Sequence, residues 1–212
     1  MHTVSFLSPM RLNQFTLLIG DRIVLVPYEK KHVPKYHEWM MDPQLREATA
    51  SEPLSLEEEF EMQKTWRNDE DKLTFIVLDR KKWEESGKNE IISMVGDVNL
   101  FIVEGEAECE IMIAEKEERT KGRGTEAMMM MIGYALEEWD DDLEFIAKIG
   151  YDNDQSIRLF VHKFGFVEEG RSEVFREISF RLPRDNNHRF RYFYRSKVTK
   201  EEIEEREEEE DH

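Results

Sequence analysis

Apolar residues fall into short runs separated by charged stretches, and the runs carry two different periods. Ile23-Val24-Leu25-Val26-Pro27 predicts a short strand closed by proline, and Thr74-Phe75-Ile76-Val77-Leu78 predicts another. His32 to Met41 reads as a first helix. A second starts after Pro53, where Ser55 is placed to cap it and Glu58, three residues on, completes a capping box; the pattern runs to about Arg67. Residues 80 to 91 read as a charged loop turning at Gly87. Residues 1 to about 20 hold no clear period, and Met10 is a candidate alternative start.

Two further strands, Met94 to Val103 and Glu108 to Ala114, are joined around Gly105 at a spacing that suits a hairpin. With Val103 opposite Glu108, Phe101 faces Glu110 and Asn99 faces Met112. Alternation then gathers Asp97, Asn99, Glu108 and Glu110 on one face, with Val98, Leu100, Cys109, Ile111 and Ile113 on the other. A face with that many polar groups is either solvated or a site, and both readings stay open. Further on, about Thr125 to Trp139 reads as helix, Phe145 to Ile149 as strand, Asp154 to Lys163 as helix and Phe175 to Leu182 as a final alternating strand. Strands mixed with helices without strict alternation imply an α/β (α+β) fold, a mixed sheet with helices on both faces.

Composition narrows the class. With 39% hydrophobic and 11% aromatic residues, a chain of 212 residues can build one domain with a full core, while 37% charged residues place part of it outside that core. No apolar run reaches the roughly 18 residues of a membrane span, and the basic-then-apolar pattern of a secretory leader is missing. Cys109 is the only cysteine, which excludes an intrachain disulfide and a thiolate zinc cluster. The chain reads as cytoplasmic, with an additional nuclear location left open. A net charge of -18 argues against nucleic acid and against an anionic membrane as main partner. Much of that charge lies in Glu201 to Asp211, nine acids against one base, which reads as a solvated tail. The basic, aromatic stretch Arg189 to Arg195 before it is either a docking strand or the partner that neutralises the tail.

The strongest chemical signal is strand, then Arg119-x-x-Gly122-x-Gly124, then helix. Backbone N–H groups that converge on an anion need dihedrals and a close approach that a Cβ blocks. The helix that follows adds unpaired N–H groups and a positive dipole end. The pattern lacks the Gly-Lys-Ser/Thr of a P-loop and the three spaced glycines of a dinucleotide fingerprint. Alone, it is equally a tight strand-to-helix turn. Other conspicuous residues have plainer roles. Met128 to Met131 read as core, Glu126 as favoured by the helix dipole, and Cys109 as inert. His32 and His37 lie five apart, off one helical face, so no metal pair is implied.

A second motif follows a strand downstream: Asn153-x-x-Ser156-x-x-Leu159-Phe160-x-x-Lys163-Phe164-Gly165-Phe166. The pair, in this order, resembles the GNAT acetyltransferase superfamily. Arg11 to Gln14, Val24 to Tyr28, His37 to Met40, Ala50 to Leu54, Val95 to Phe101 and Ala147 to Gly150 are similar to its N-acetyltransferase 9 branch, over roughly Arg11 to Leu182. The resemblance implies a splayed mixed sheet and an N-acetyltransferase domain over 21–183. Residues 1–20 would be an extension and lead-in, and 184–212 a charged tail disordered at its acidic end. It implies acetyl-CoA as cosubstrate and no metal. Backbone groups of Met112, Ile113 and Ala114 would hold the pantetheine arm, with Asn153, Ser156 and Phe160 lining it. Arg119 and the N–H groups of Thr120, Lys121, Gly122, Arg123, Gly124 and Thr125 would hold the phosphates.

Two departures bear on mechanism. Phe160 stands where many relatives carry a tyrosine that protonates the leaving thiolate. A thiol of pKa about 8.5 leaves as thiolate at pH 7 for only about 2 kcal/mol, so Tyr151 or a water suffices. Lys148 stands where amino-terminal acetyltransferases of the superfamily can carry a basic carboxylate, and it suits an acidic group of the substrate better. With no cysteine or serine constellation, the acetyl group is expected to pass directly to the amine in a ternary complex. Glu110 is the first candidate for the base, with Asp97 behind it and Asn99 and Lys148 on the substrate side. This thin equipment suits a protein N-terminal α-amine, pKa about 7.7 to 8.0, over a lysine near 10.4. The alternative is a GNAT-fold protein with little catalysis that acts through a cytoskeletal or complex-forming protein partner.

Overall fold

The computed structural model describes residues 13–139, 142–191, 193–199 and 202. Among these, one nine-stranded sheet organises the chain, in the order β7-β8-β6-β5-β4-β3-β2-β1-β9. Its strands are β1 (Thr16–Ile19), β2 (Ile23–Pro27), β3 (Lys72–Asp79), β4 (Met94–Val103), β5 (Glu106–Ile113), β6 (Glu144–Gly150), β7 (Val167–Ser172), β8 (Glu177–Arg181) and β9 (Ser196–Thr199). Neighbours are antiparallel throughout except β5 and β6, which run parallel.

Alternation along the central strands supplies two cores. Leu25, Phe75, Val98, Leu100 and Cys109 point to one side, where α6 (Arg123–Glu138) lays Met128, Met130 and Met131 against them. Each of these methionines is fully buried, a contribution of about 1.5–3 kcal/mol apiece. On the other side Val24, Val26, Ile76 and Met112 meet α1 (Val33–Met40) and α2 (Pro43–Ala48) through Tyr36, Trp39 and Leu45. The next helix, α3 (Leu56–Asn68), covers the same face. Its start is the expected capping box: Ser55 Oγ accepts from the Glu58 N–H at 3.3 Å and the Glu58 carboxylate from the Ser55 N–H at 2.8 Å. Among the described residues no helix is long and apolar enough to cross a membrane.

Several expectations need correction. Residues 80 to 91 are largely helical: α4 (Arg80–Glu85) and α5 (Glu90–Ser93) start on the side chains of Asp79 and Asn89. Only the turn at Gly87, φ 65°, matches the loop reading. The hairpin register is shifted by two, with Val103 opposite Glu106, Phe101 opposite Glu108 and Asn99 opposite Glu110. Glu104 and Gly105 both take positive φ, 52° and 87°, which closes the turn in two residues. A shift of two preserves side-chain parity, so the expected faces stand.

The expected helix from Asp154 to Lys163 divides into α7 (Asp154–Arg158) and a π turn (Leu159–Phe164) that carries both Phe160 and Phe164 into the core. The final strand is shorter than expected, because Phe175 lies 74% exposed outside β8. β1, β7 and β9 lacked a readable period. The stretch after Arg189 leads into β9, which pairs with β1, and Arg195 forms an ion pair with Asp21. Met10 and the acidic run apart from Glu202 lie outside the described residues. Glu202 accepts from the Thr199 N–H at 2.6 Å.

Candidate active site

β5 and β6 stay paired only from Glu106–Glu144 to Glu108–Ile146, then part. A cleft of about 680 Å³ runs from this splay. Met112 and Ile113 line one wall; Arg119, Thr120, Lys121, Gly122, Gly124 and Thr125 form one end, with Asn153 and Ser156 opposite. Of the remaining expected cofactor residues, Ala114, Arg123 and Phe160 do not line it. Phe160 is 2% exposed, its ring edge-on to Phe164 and Phe166 at centroid distances of 5.4 and 5.1 Å.

The glycine loop is folded for backbone donation. Thr120 and Gly122 take left-handed φ of 60° and 83°, and Gly122 is the N-cap of α6. A non-glycine residue at that φ is strained, which is why glycine suits Gly122. Gly124 is permitted by the fold but not required by it. A Cβ there would meet Ile113 Cγ1 at 3.4 Å and Ile111 Cγ1 at 3.6 Å, ordinary contacts, so a missing side chain serves whatever enters the cleft. Arg119 secures the loop to the end of β5: Nε donates to the Ile113 carbonyl at 2.8 Å and Nη2 to the Ala114 carbonyl at 3.1 Å. The Arg123 guanidinium turns away to Asp79, and it also meets Glu118 at 2.9 Å. Burial pushes the Glu118 pKa up, but hydrogen bonds from Lys82 and Lys121, both 3.1 Å, and the charge of Arg123 outweigh it and hold it low.

Some wall residues carried no sequence signal. α2 contributes Gln44, Leu45 and Ala48, while Arg22 reaches the cleft from the β1–β2 turn. Glu126 places that turn, its carboxylate accepting from the backbone N–H of Asp21 and, at 3.0 Å, of Arg22. The residue that read as a helix-dipole acid therefore ties α6 to β2.

On the α1/α3 face of the sheet lie Asp97 and Glu110, two of the expected catalytic groups. Thr74 Oγ1 donates to Asn99 Oδ1 at 2.6 Å, and Asn99 Nδ2 donates to Asp97 Oδ2 at 2.6 Å. Asp97 is 2% exposed; burial pushes its pKa up to about 7, against the pull of the Asn99 amide and with Glu110 adding to the rise. Glu110 shares the face, its side chain 52% exposed and 3.9 Å from Lys72 Nζ. Desolvation raises its pKa, Lys72 opposing and Glu108 assisting. Lys148 is paired with Glu108 at 2.6 Å, which raises the lysine pKa. The Tyr151 hydroxyl donates to Glu173 at 3.1 Å, outside the cleft lining. Asn153 accepts from the Ser156 N–H at 3.1 Å and so caps α7. Cys109 lies buried on the opposite face, its thiol pushed well above the usual range by burial and by Glu108 and Glu110.

Asp97, Asn99, Glu110 and Lys148, expected at the reacting centre, do not line the cleft. A splayed parallel pair and a glycine loop at a helix start match one family. The profile described as "Acetyltransferase (GNAT) domain" covers residues 22–167. The chain belongs to the GNAT acetyltransferase family. It is 49% identical over 181 residues to an N-acetyltransferase 9-like protein of Nematostella vectensis, spanning 84% of this chain and 90% of that one. It is 50% identical over 179 residues to the human alpha/beta-tubulin-N-acetyltransferase 9, with 82% and 86% covered. Among solved structures, spermidine N-acetyltransferase from Vibrio cholerae in complex with CoA and spermine superposes with a TM-score of 0.62 at 22% identity. That match covers 76% of this chain and 93% of the other, and it carries the fold alone. The protein is thus an acetyl-CoA-dependent N-acetyltransferase of the GNAT fold.

Proposed function

We propose that this acetyltransferase modifies the α-amine of a protein N-terminus by direct attack with both substrates bound. Acetyl-CoA supplies the acyl group as a thioester whose sulfur is the leaving group. The left-handed turns at Thr120 and Gly122 and the open α6 N-terminus fit its pyrophosphate, which the N–H groups of residues 120 to 125 would hold. Arg22 and Lys121 add charge at the rim. Arg119 would act through the Ile113 and Ala114 carbonyls that it orders, and Asn153 and Ser156 would line the arm.

One observation carries the choice of amine. The acceptor face offers carboxylates of raised pKa, Asp97 at about 7 with Glu110 beside it. Transfer from an α-ammonium, pKa about 7.7 to 8.0, to a carboxylate held at about 7, as Asp97 is, is uphill by only about 1 kcal/mol, whereas a lysine near 10.4 requires between about 4 and 5. Glu110, on the open side, takes the proton directly or through water, and Asp97 stands behind it. No covalent acetyl-enzyme is needed, and Cys109 faces away from this chemistry. The names of the human and Drosophila relatives, alpha/beta-tubulin-N-acetyltransferase 9, make a protein acceptor the natural choice and tubulin the first to test. An acidic residue after the acceptor amine would have to compete with Glu108 for Lys148.

Steady-state rates on matched peptides decide the point, one with a free N-terminus and one blocked but carrying an internal lysine. Faster turnover of the free peptide is expected. Faster acetylation of the blocked peptide overturns the proposal.

A further inference from the structure

The two faces of the sheet are covered to different extents. On one, Phe145, Ala147 and Ile149 of β6 and Ile178 and Phe180 of β8 share a core with α6. On the other, the apolar layer beneath α1 and α3 draws on β1 to β5 and β9, and on none of β6, β7 and β8. Past that layer the sheet lies open. Alternation puts Glu106, Glu108 and Glu110 of β5, Lys148 of β6, and Glu177 and Arg181 of β8 on the open side. Phe101, opposite Glu108, lies there too, 40% exposed. Glu110 and Lys148 each come two residues after Glu108 and Ile146, the last pair before β5 and β6 part, so they flank the splay.

The cations on this side are already held. Lys148 is paired with Glu108 at 2.6 Å, and Arg181 with Glu106, Glu144 and Glu169 at 2.7, 2.5 and 2.8 Å. Lys72 is largely buried, its ammonium 3.6 Å from the centre of the Trp66 ring and 3.9 Å from Glu110. The carboxylates are held less evenly. Glu110 has only that lysine at 3.9 Å. The Glu177 side chain makes no hydrogen bond or ion pair among the described residues. Asp97 Oδ1, on the same side of the sheet, is buried and has no partner either, and Met112, which pairs with Asp97, is two residues from Glu110. Acceptor oxygens around the splay therefore outnumber the donors that meet them. A solvated acidic patch would satisfy its oxygens with water, but a dry one without a donor is costly unless a ligand brings it.

We infer that the open side of β5, β6 and β8 receives the acceptor polypeptide just after its terminal amine, and that Glu177 selects a lysine or arginine there. This rests on the α-amine reading above. The ammonium supplies the donors that Glu110 and Asp97 lack, and the basic side chain supplies the one that Glu177 lacks. With the amine at Glu110, the chain crosses the splay and β6 to reach β8, at least two strand spacings of about 4.8 Å. An extended chain advances about 3.3 Å per residue, so it covers that span in about three residues and brings positions two to four to Glu177. Lys148 does not repel the basic residue strongly, because Glu108 neutralises it. Phe101, beside Glu108, offers apolar surface to the stem of a long side chain, which a polypeptide of this kind can use.

The test uses the full chain, acetyl-CoA and three peptides with free N-termini that differ only at positions two to four, which are basic, neutral or acidic. The basic peptide is expected to show a KM about fivefold below the neutral one, the upper end for an exposed ion pair, with kcat within about twofold. The gap should shrink at high salt. Glu177→Gln should remove the preference, and Glu177→Lys should turn it toward the acidic peptide. Glu177→Gln, nearly isosteric, carries the test alone should Glu177→Lys fail to fold. Equal KM values for the three peptides overturn the inference, and so does a basic preference that survives both substitutions. Spermine acetylated faster than any of the peptides also overturns it, because the splay would then be a site for small polycations. Turnover confined to a blocked peptide with an internal lysine removes the α-amine reading and this inference with it. Free N-termini acetylated without regard to charge leave that reading standing and remove only the role of Glu177.

Discussion

Asn99 donates its amide to Asp97 Oδ2 at 2.6 Å while its own oxygen accepts from Thr74 at 2.6 Å. The bonds at both ends fix which way the amide points, and they leave Asp97 Oδ1 as the free oxygen. Asn99, which read as a substrate contact, is used up inside the protein and orients the carboxylate instead. Asn13 extends the chain of bonds, donating to the Thr74 carbonyl at 2.8 Å.

Removing the Asp97 charge should reduce activity and increase stability. Asp97→Asn is expected to lower kcat/KM by less than the about hundredfold that loss of a positioned base costs, because Glu110 takes the proton first. The folded pKa of about 7 lies above the unfolded value, so the native state holds the proton longer and stability falls as pH rises between about 4 and 7. Over that window the group withdraws on the order of 4 kcal/mol, 1.4 per unit. The melting-temperature advantage of Asp97→Asn should be small near pH 4, grow through pH 7 and level off above it. A constant difference across that range would refute the buried, raised carboxyl.

Bulk at Gly124 should close the cleft without unfolding the domain. The nearest atoms to a Cβ there are Ile113 and Ile111 side chains at 3.4 and 3.6 Å, so Gly124→Leu meets flexible neighbours and projects toward the cleft they line. Coenzyme A binding by calorimetry is expected to vanish, with far-UV dichroism preserved. Unchanged affinity in the folded variant counts against the cofactor assignment.

Glu126→Ala should loosen the β1–β2 turn. Two backbone N–H groups, of Asp21 and Arg22, lose their charged acceptor, a change of about 1.5–3 kcal/mol for a buried site. Urea unfolding is expected to show that loss, and coenzyme A affinity to fall with it because Arg22 leaves the cleft wall. Affinity that survives the destabilisation would remove Arg22 from the site.

The acidic run should be dispensable for chemistry. Deleting residues 201 to 212 removes the Glu202 contact with Thr199 and little else among the described residues. Turnover on a short peptide should stay nearly unchanged and the melting temperature within a few degrees. A large loss of activity would make the run part of the site.

The glycine loop and the helix starts around the cleft were legible because they depend on local backbone. Arg119-x-x-Gly122-x-Gly124 and Asn153-x-x-Ser156 each sit at a helix start, where a left-handed residue or a capping oxygen is needed within a few positions. The capping box at Ser55 and the two faces of the β4–β5 hairpin were legible for the same reason, since parity survives even a register shift of two. Local geometry determines these, and the sequence determined them alone.

The acceptor end depended on packing. Glu110 and Lys148 carried no sign of their ion-pair partners Lys72 and Glu108. Arg119 gave no sign of its bonds to the Ile113 and Ala114 carbonyls, nor Phe160 of the π turn that buries it. β1, β7 and β9 took strand form through their neighbours rather than through a period of their own. A carboxylate's proton affinity depends on what excludes water from it and which charges stand beside it. For Asp97 those are groups from β3, β4 and β5, with α1 and α3 above, and only the tertiary structure brings them together.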